Sequence, residues 1–312
     1  MRKEPIFLCG PTASGKTALA VELALRLNGE IVSADSMQIY RHMQIGTAAP
    51  TEEEQCGVPH HMIGVVEPQE SFSVERYRAM ALPVIRDIQE RGRFPIVAGG
   101  TGLYFDALMQ GDGYAPVEAD LQYRRELNEL AEREGNQAVH DLLAAEDPET
   151  AARLHPNNLK RVIRALEVLR LTGRSISDHD RETQTLASPF APVKLGINIE
   201  PRERLYARID LRVDRMLDAG LLQEAESIQN LGVPADATAM QAIGYKELIP
   251  VLHGETSLAD AVALIKQRSR NYAKRQLTWF RRDAAIRWYS PSAAETAADL
   301  AERILRENTE LK

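Results

Sequence analysis

The chain is poor in cysteine, in net positive charge and in long apolar runs. Cys9 and Cys56 are its only two cysteines in 312 residues. The first lies in an apolar stretch and the second in a polar one, so no disulfide is expected and the usage fits a reducing cytoplasm. Formal net charge is −7. Bulk charge therefore does not suggest a nucleic-acid partner, and any basic surface must be local. No apolar run approaches the ~20 residues of a membrane span. Met-Arg-Lys-Glu-Pro leads straight into an apolar stretch, so no signal peptide is expected. There is no internal repeat and no low-complexity segment. The remainder is ordinary globular composition, 44% hydrophobic and 27% charged, at a length that suits one large or two ordinary domains.

Against that background one stretch stands out. Gly10-Pro11-Thr12-Ala13-Ser14-Gly15-Lys16-Thr17 is a G-x-x-x-x-G-K-T pattern. An apolar run, Ile6 to Cys9, precedes it, and a helical apolar pattern (Leu19, Leu23, Leu27) follows. Strand, glycine loop and helix are the context a phosphate-binding P-loop requires. The glycines let successive N–H groups turn inward toward phosphate oxygens, and the helix adds its positive end. Lys16 brings a point charge to the terminal phosphates, and Thr17 offers a hydroxyl to Mg²⁺. This loop class usually holds nucleotide phosphates, as in ATP, but the pattern does not name the ligand.

The chain beyond it reads as α/β. A helix over 16–27 ends at Asn28-Gly29, both tolerant of a left-handed cap. Residues 30–34 read as a strand with Asp35 at its carboxyl end, where ligands of parallel sheets bind. The long polar loop through Gly46, Pro50 and Gly57 reads as functional. Cys56, His60 and His61 lack a fourth ligand at a metal-site spacing. A helix over 73–91, capped by Ser73 and expected to kink at Pro83, leads to a strand over 95–98. A second glycine junction, Gly99-Gly100-Thr101-Gly102, opens the next helix at Leu103. It is either a second set of donors at the same sheet edge or a plain tight turn.

From Gly111 to Pro116 the composition changes. Helical segments are expected at 118–134, 137–146 and 157–172, the last closed by Gly173 and carrying Lys160, Arg161 and Arg164 on one side. Ser175 to Ser188 is polar, and 193–199 returns to strand character. Residues 113–191 thus read as a helical insertion, and 1–112 with 192–312 as a P-loop NTPase-like α/β core whose sheet is parallel. In the helix over 203–218, Arg204, Arg208, Arg212 and Arg215 stack along one face. They are either a solvated face paired with Asp210, Asp214 and Asp218, or a reach toward phosphate. Between Lys266 and Arg287 lie eight basic residues against one acid, Asp283, with Tyr272, Trp279 and Phe280 interleaved. Ala273, Leu277, Phe280 and Ala284 form the expected core stripe of this helix. The basic residues suit phosphate contacts and base stacking, or simply a solvated face.

Several blocks together resemble the bacterial tRNA dimethylallyltransferases, also called tRNA isopentenyltransferases. They are the P-loop, Ser33-Ala-Asp-Ser-Met-Gln-Ile-Tyr40, Ile45-Gly-Thr-Ala48, Val58-Pro-His-His-Met62, Gly99-Gly-Thr-Gly-Leu-Tyr104, Arg164-Ala-Leu-Glu-Val168, Gln241-Ala-Ile-Gly-Tyr-Lys-Glu247 and Tyr272-Ala-Lys-Arg-Gln-Leu-Thr-Trp-Phe280. Ala49, Gly64 and Ser269 depart from the pattern, where lysine, aspartate and threonine are usual. No cysteine pair occurs in the last third, so the zinc finger of eukaryotic relatives is not expected.

The resemblance implies transfer of a dimethylallyl group from dimethylallyl diphosphate to N6 of the adenosine 3′-adjacent to the anticodon, position 37 of tRNA. Gly10 to Thr17 would then hold the diphosphate, with Mg²⁺ at Thr17 and Arg208 as an added cation. Asp35 would be the general base, or order Mg²⁺ through water. Thr101 would bond the reacting amine or a phosphate oxygen, and Lys16 would support the leaving group. The base must flip from its stack, so Ser36, Met37 and Gln38 would line its pocket. Arg124, Lys160, Arg161, Arg164, Gln241, Gly244, Lys246, Lys274 and Arg275 would contact the rest of the anticodon stem-loop. The expected protein is a cytoplasmic monomer without a membrane partner. The alternatives are a P-loop kinase of a small metabolite or nucleotide, with the insertion as an ATP lid, and a non-catalytic RNA-binding protein.

Overall fold

The computed structural model describes residues 3–111, 120–176, 178, 187–234 and 236–311. Six strands form one parallel sheet: β1 (Ile6–Cys9), β2 (Gly29–Ala34), β3 (His60–His61), β4 (Phe94–Gly99), β5 (Val193–Ile197) and β6 (Arg287–Tyr289). Their spatial order is β3-β2-β4-β1-β5-β6, every pair parallel. Chain order and spatial order differ because each parallel step needs a crossover. The helices in chain order are α1 (Lys16–Leu27), α2 (Glu52–Gln55), α3 (Val74–Glu90), α4 (Gly102–Met109), α5 (Leu121–Glu134), α6 (Asn136–Glu146), α7 (Pro148–Arg153) and α8 (Leu159–Thr172). They continue with α9 (Arg202–Asp218), α10 (Leu221–Asn230), α11 (Tyr245–Leu252), α12 (Leu258–Phe280) and α13 (Ala297–Glu307).

Both faces of the sheet are buried, which is why its strands read as apolar runs rather than alternating ones. On one face Ile6 and Leu8 pack with Leu19 and Leu23 of α1 and with Leu300 and Ile304 of α13. On the other, Phe7 meets Phe105 edge to face at 5.4 Å, and Phe105 meets Phe280 of α12 at 5.6 Å. β1 is central, so its carboxyl end opens between β4 and β5. That end carries the P-loop.

Local signals behave as the sequence suggests in several places. Asn28 caps α1 in the left-handed region, Ser73 accepts from the Arg76 amide at the start of α3, and Gly173 closes α8. Helix α3 runs on through Pro83.

By its contacts the chain divides into two units, Met1–Leu108 with Phe190–Lys312, and Met109–Pro189. The second unit has its own core of Leu127, Val139, Leu143, Val162 and Leu166. It also contains α7, which the sequence reading did not mark. Gly113 to Pro116, part of the composition change, and most of the polar 175–188 stretch lie outside the described residues.

Two expectations need correction. Helix α12 ends at Phe280, so Ala284 is exposed and outside its core stripe, and Arg287 lies on β6. Within the insertion unit, Lys160, Arg161 and Arg164 do not form one exposed face. Lys160 and Arg161 are exposed, whereas Arg164 ion-pairs with the fully buried Glu167, which also takes a two-pronged contact from Arg124 at 2.7 and 2.8 Å. Burial alone would raise the Glu167 carboxyl; the Arg124 and Arg164 bonds outweigh it and hold the group below its ordinary range. Arg124 and Arg164 thus neutralise an internal charge, since a buried carboxylate without cations is costly. Among the described residues no helix is long and apolar enough to cross a membrane.

Candidate active site

The P-loop leaves β1 at Gly10, where a Cβ would lie 2.5 Å from the Ile197 carbonyl of β5. Only glycine fits so close to that strand. Ala13 holds φ 61° and Gly15 φ 95°, and α1 begins at Lys16. A left-handed alanine is a strained choice, and such strain persists where the surroundings over-determine it. Pro11 has no N–H, and the Thr12 amide donates to Gln276 Oε1 at 2.9 Å. The diphosphate-binding assignment of Thr12 therefore cannot rest on its amide. The Ser14 amide makes a long bond to the Pro11 carbonyl at 3.4 Å, and those of residues 13 and 15–17 have no partner among the described residues. The Ser14 hydroxyl is buried without a partner, an unmet group of the kind a ligand oxygen satisfies.

Thr12 to Thr17, but not Gly10 or Pro11, line a cavity of about 1470 Å³ within the first unit. Lys16 donates to the Pro11 carbonyl at 2.6 Å. Burial, and then the nearby Arg212 charge, pull its ammonium down to about 8, with Asp35 opposing. A bound diphosphate ester would raise that value, so binding should weaken as pH rises through about 8 and should take up a proton from solution above it. Calorimetry at pH 8.5 in buffers of different ionisation enthalpy should show net proton uptake on binding. Lys16→Met should show none; equal uptake by both proteins would dismiss Lys16 as the group responsible.

Of the α9 arginines, Arg208 and Arg212 turn toward the loop and Arg215 borders the cavity, while Arg204 bonds the Pro291 and Ser292 carbonyls. Asp210 and Asp214 pair with Arg270 and Lys266 of α12, both at 2.6 Å. Arg208 Nε donates to the Ala13 carbonyl at 2.8 Å; the residue is exposed overall but also borders the cavity, so it braces the loop at the cavity's edge. Arg212 reaches further in: one Nη donates to the Thr12 hydroxyl at 2.9 Å and the other lies 3.5 Å from the Thr47 carbonyl. Burial pulls its guanidinium below the usual range, again with Asp35 opposing. Arg212 is thus a more deeply placed cation beside Lys16, joining Arg208, which borders the same cavity.

Asp35 also lines the cavity. Its Oδ1 accepts from the Met37 amide at 2.9 Å and more weakly from Gln38 at 3.4 Å. This Asx-turn fixes the carboxylate and leaves Oδ2 without a hydrogen bond among the described residues. Ser36 and Met37 line the cavity beside it. Gln38 also borders it, but its amide is committed: Oε1 accepts from Ser33, and Nε2 donates to the Thr47 and Ala48 carbonyls. The Thr101 hydroxyl accepts from the Ser36 amide at 3.0 Å and lies 3.3 Å from the Ser36 Oγ. It holds the segment carrying Asp35 and is not itself part of the cavity wall.

Gln276 escaped the sequence reading. It is buried, and it ties the Thr12 amide to the Gly100 carbonyl at 2.9 and 3.0 Å. A polar residue on the apolar side of α12, one position past Arg275, was the available signal. Gln241, Gly244, Lys246 and Arg275 line the far wall of the cavity, while Lys274 is exposed on α12. The basic stretch is less free than its composition implies. Lys266, Arg268, Arg270 and Arg287 are paired with Asp214, Glu247, Asp210 and Glu310. Lys274, Arg275, Arg281 and Arg282 make no ion pair among the described residues.

For a divalent cation, Thr17 supplies an exposed hydroxyl and Asp35 a carboxylate at the same cavity. No group of three His, Cys, Asp or Glu able to hold a metal occurs among the described residues. His61 instead bonds Glu30 at 2.7 Å, and His60 the Val58 carbonyl at 2.8 Å. This donor set fits Mg²⁺, which keeps most of its shell as water and ligand phosphate.

Comparison with known proteins agrees with the geometry. The IPP transferase family model matches residues 38–283, and the Isopentenyl transferase model residues 5–63. The tRNA dimethylallyltransferase of Geobacter metallireducens is 50% identical over 283 residues, 91% of each chain. That of Halalkalibacterium halodurans is 47% identical over 289 residues, 93% of this chain and 91% of the relative. Among solved structures, the full-length tRNA isopentenylpyrophosphate transferase of Bacillus halodurans matches with a TM-score of 0.72 at 43% identity, covering 99% of this chain and 98% of that one. A eukaryotic dimethylallyltransferase captured acting on tRNA matches with a TM-score of 0.83 at 29% identity, covering 98% of this chain and 79% of that one. Sequence match over most of the chain and a shared fold lead to one conclusion: this chain belongs to the IPP transferase family, the tRNA dimethylallyltransferases.

Proposed function

We infer that this chain prenylates tRNA, moving a dimethylallyl group from dimethylallyl diphosphate to N6 of the adenosine 3′-adjacent to the anticodon, position 37. The observation that carries this reading is one cavity bordered by the P-loop with Lys16 and Arg212 on one side and by the Asp35 turn on the other. A diphosphate ester and an amine nucleophile have places there at once. A kinase of a small metabolite would share the P-loop but has no use for the unpaired basic residues of α12.

The chemistry follows from the residues. The bond between the allylic carbon and the diphosphate oxygen breaks, and its electron pair stays on the diphosphate. The amides of residues 13–17, Lys16 and Arg212 stabilise that growing charge in a partly enclosed site, where fixed donors count for most. Mg²⁺, held at the Thr17 hydroxyl and by phosphate oxygens, would supply further neutralisation. The N6 lone pair forms the new C–N bond. It is delocalised into the adenine ring, so the amine needs help losing its proton, and the Asp35 carboxylate accepts it. The Asx-turn and the Thr101–Ser36 bond hold that carboxylate in place. The base reaches the cavity only after leaving its stack, which implies flipping.

Lys274, Arg275, Arg281 and Arg282 on and after α12, with Lys160 and Arg161 of the insertion unit, would meet backbone phosphates. The enzyme is read as a cytoplasmic monomer. Affinity for an unmodified anticodon stem-loop should fall steeply with salt, by about tenfold or more between 50 and 200 mM for several phosphate contacts. Fluorescence anisotropy across that range measures it. A flat response would remove the basic residues from the interface.

A further inference from the structure

Glu224 stands in the first turn of α10, behind the cavity wall, and belongs to none of the roles assigned above. Its carboxylate is engaged on four sides. Oε2 accepts from the amides of Gln44 and Ile45, both at 2.9 Å, and Oε1 accepts from the amide of Gly46 at 3.0 Å. The fully buried Tyr245 donates its hydroxyl to Oε1 as well. Burial, and then the Glu224 charge, push that phenol far above its ordinary range, so it stays a donor. Three successive backbone amides converging on one anion is the arrangement proteins use to hold phosphates; here a side chain of the same molecule fills it.

The segment so held is part of the cavity wall, from Gln44 to Pro50. Gly46 lies against the Tyr245 ring, where a Cβ would be 2.5 Å from a ring carbon. Immediately beyond, the Thr47 carbonyl accepts from Gln38 at 3.3 Å and lies 3.5 Å from an Arg212 Nη. The Ala48 carbonyl accepts from Gln38 at 3.1 Å. Gln38 belongs to the Asp35 turn, and Arg212 grips the P-loop through Thr12. Both halves of the site are therefore braced on one short segment.

We propose that Glu224 is a positioning residue for the transfer site: by clamping residues 44–46 it fixes the two carbonyls that orient Gln38 and Arg212. This rests on the functional reading above only for the reaction it serves. Glu224→Gln keeps the volume but puts an NH₂ group either against the Gly46 amide and Tyr245 hydroxyl or against the Gln44 and Ile45 amides, so the clamp loses part of its acceptors. Glu224→Ala leaves the three amides without a partner and opens a space the size of a small carboxylate.

The test uses the full chain and two readouts. The first is the affinity for inorganic diphosphate with Mg²⁺, which needs no catalysis. For Glu224→Gln we expect Kd to rise about tenfold, the weight of one or two charge-assisted hydrogen bonds. The second is prenyl transfer by Glu224→Ala, well below its own unfolding temperature. Formate should restore several-fold of the lost kcat, and chloride at equal ionic strength should restore none. A merely structural defect would not distinguish the two anions. A Glu224→Gln diphosphate affinity within twofold of the parent, or rescue by chloride as good as by formate, would overturn the proposal. Absence of transfer by the parent chain would instead defeat the functional reading, while the diphosphate affinities would still judge the clamp.

Discussion

Asp35→Asn is expected to lower single-turnover prenyl transfer by about 10²–10⁴-fold, the usual weight of a general base, with tRNA affinity within about threefold of the parent. Asparagine is the informative choice because its Oδ1 still accepts from the Met37 amide, as Asp35 Oδ1 does at 2.9 Å. The turn is kept and the proton acceptor is removed. Asp35→Ala should lose at least as much, since it also frees the turn. If Asp35→Asn keeps more than a tenth of the activity, Asp35 is not the base. If its lost activity returns as Mg²⁺ is raised, the carboxylate acts by ordering the cation.

Arg212→Ala should cost about 10²–10³-fold in kcat, comparable to loss of one preorganised donor at a developing anion. Arg208→Ala should cost about tenfold or less, as an exposed side chain bracing a loop. The contrast follows from their placements. Arg212 is drawn in beside Lys16, close enough for each to feel Asp35, and it touches Thr12 and Thr47. Arg208 borders the cavity but is exposed, and its hydrogen bond goes to the Ala13 carbonyl. Steady-state rates at saturating tRNA and prenyl donor separate the two. Equal losses, or a larger loss at Arg208, would reverse the assignment of the inward cation.

What the sequence disclosed and what it hid have physical reasons. The P-loop, the strand before it and the helix after it are local: their geometry is set by residues a few positions apart, so Gly10, Gly15 and the apolar runs announce them. The caps at Asn28, Ser73 and Gly173 are local in the same sense. Which arginine of α9 goes deeper into the site is not local. Arg208 and Arg212 are one turn apart and alike in sequence, both meet the loop, and only the packing of α9 against α12, with Asp210 and Asp214 taken by Arg270 and Lys266, sets which one is the more deeply buried.

Buried polar residues are the other blind spot. Gln276 and Glu224 each satisfy backbone groups far away in sequence, Gly100 and Thr12 for the first, residues 44–46 for the second. Gln276 is marked only as a polar residue on the apolar side of its helix, and nothing at its own position marks Glu224. Arg124 and Arg164 were legible as charges but not as partners of the buried Glu167. The end of α12 at Phe280 was missed because Ala284 continues the helical apolar period, while the chain needs to turn there to enter β6.

The most direct measurement is a transfer assay with the purified chain, Mg²⁺, dimethylallyl diphosphate labelled in the prenyl group, and unmodified tRNA. A parallel reaction carries labelled ATP in place of the prenyl donor. Label is expected in the tRNA, on N6 of the adenosine 3′ to the anticodon, with none transferred from ATP. An unlabelled tRNA together with phosphate transfer from ATP to a small acceptor would contradict the reading of this cavity as a prenyl-transfer site.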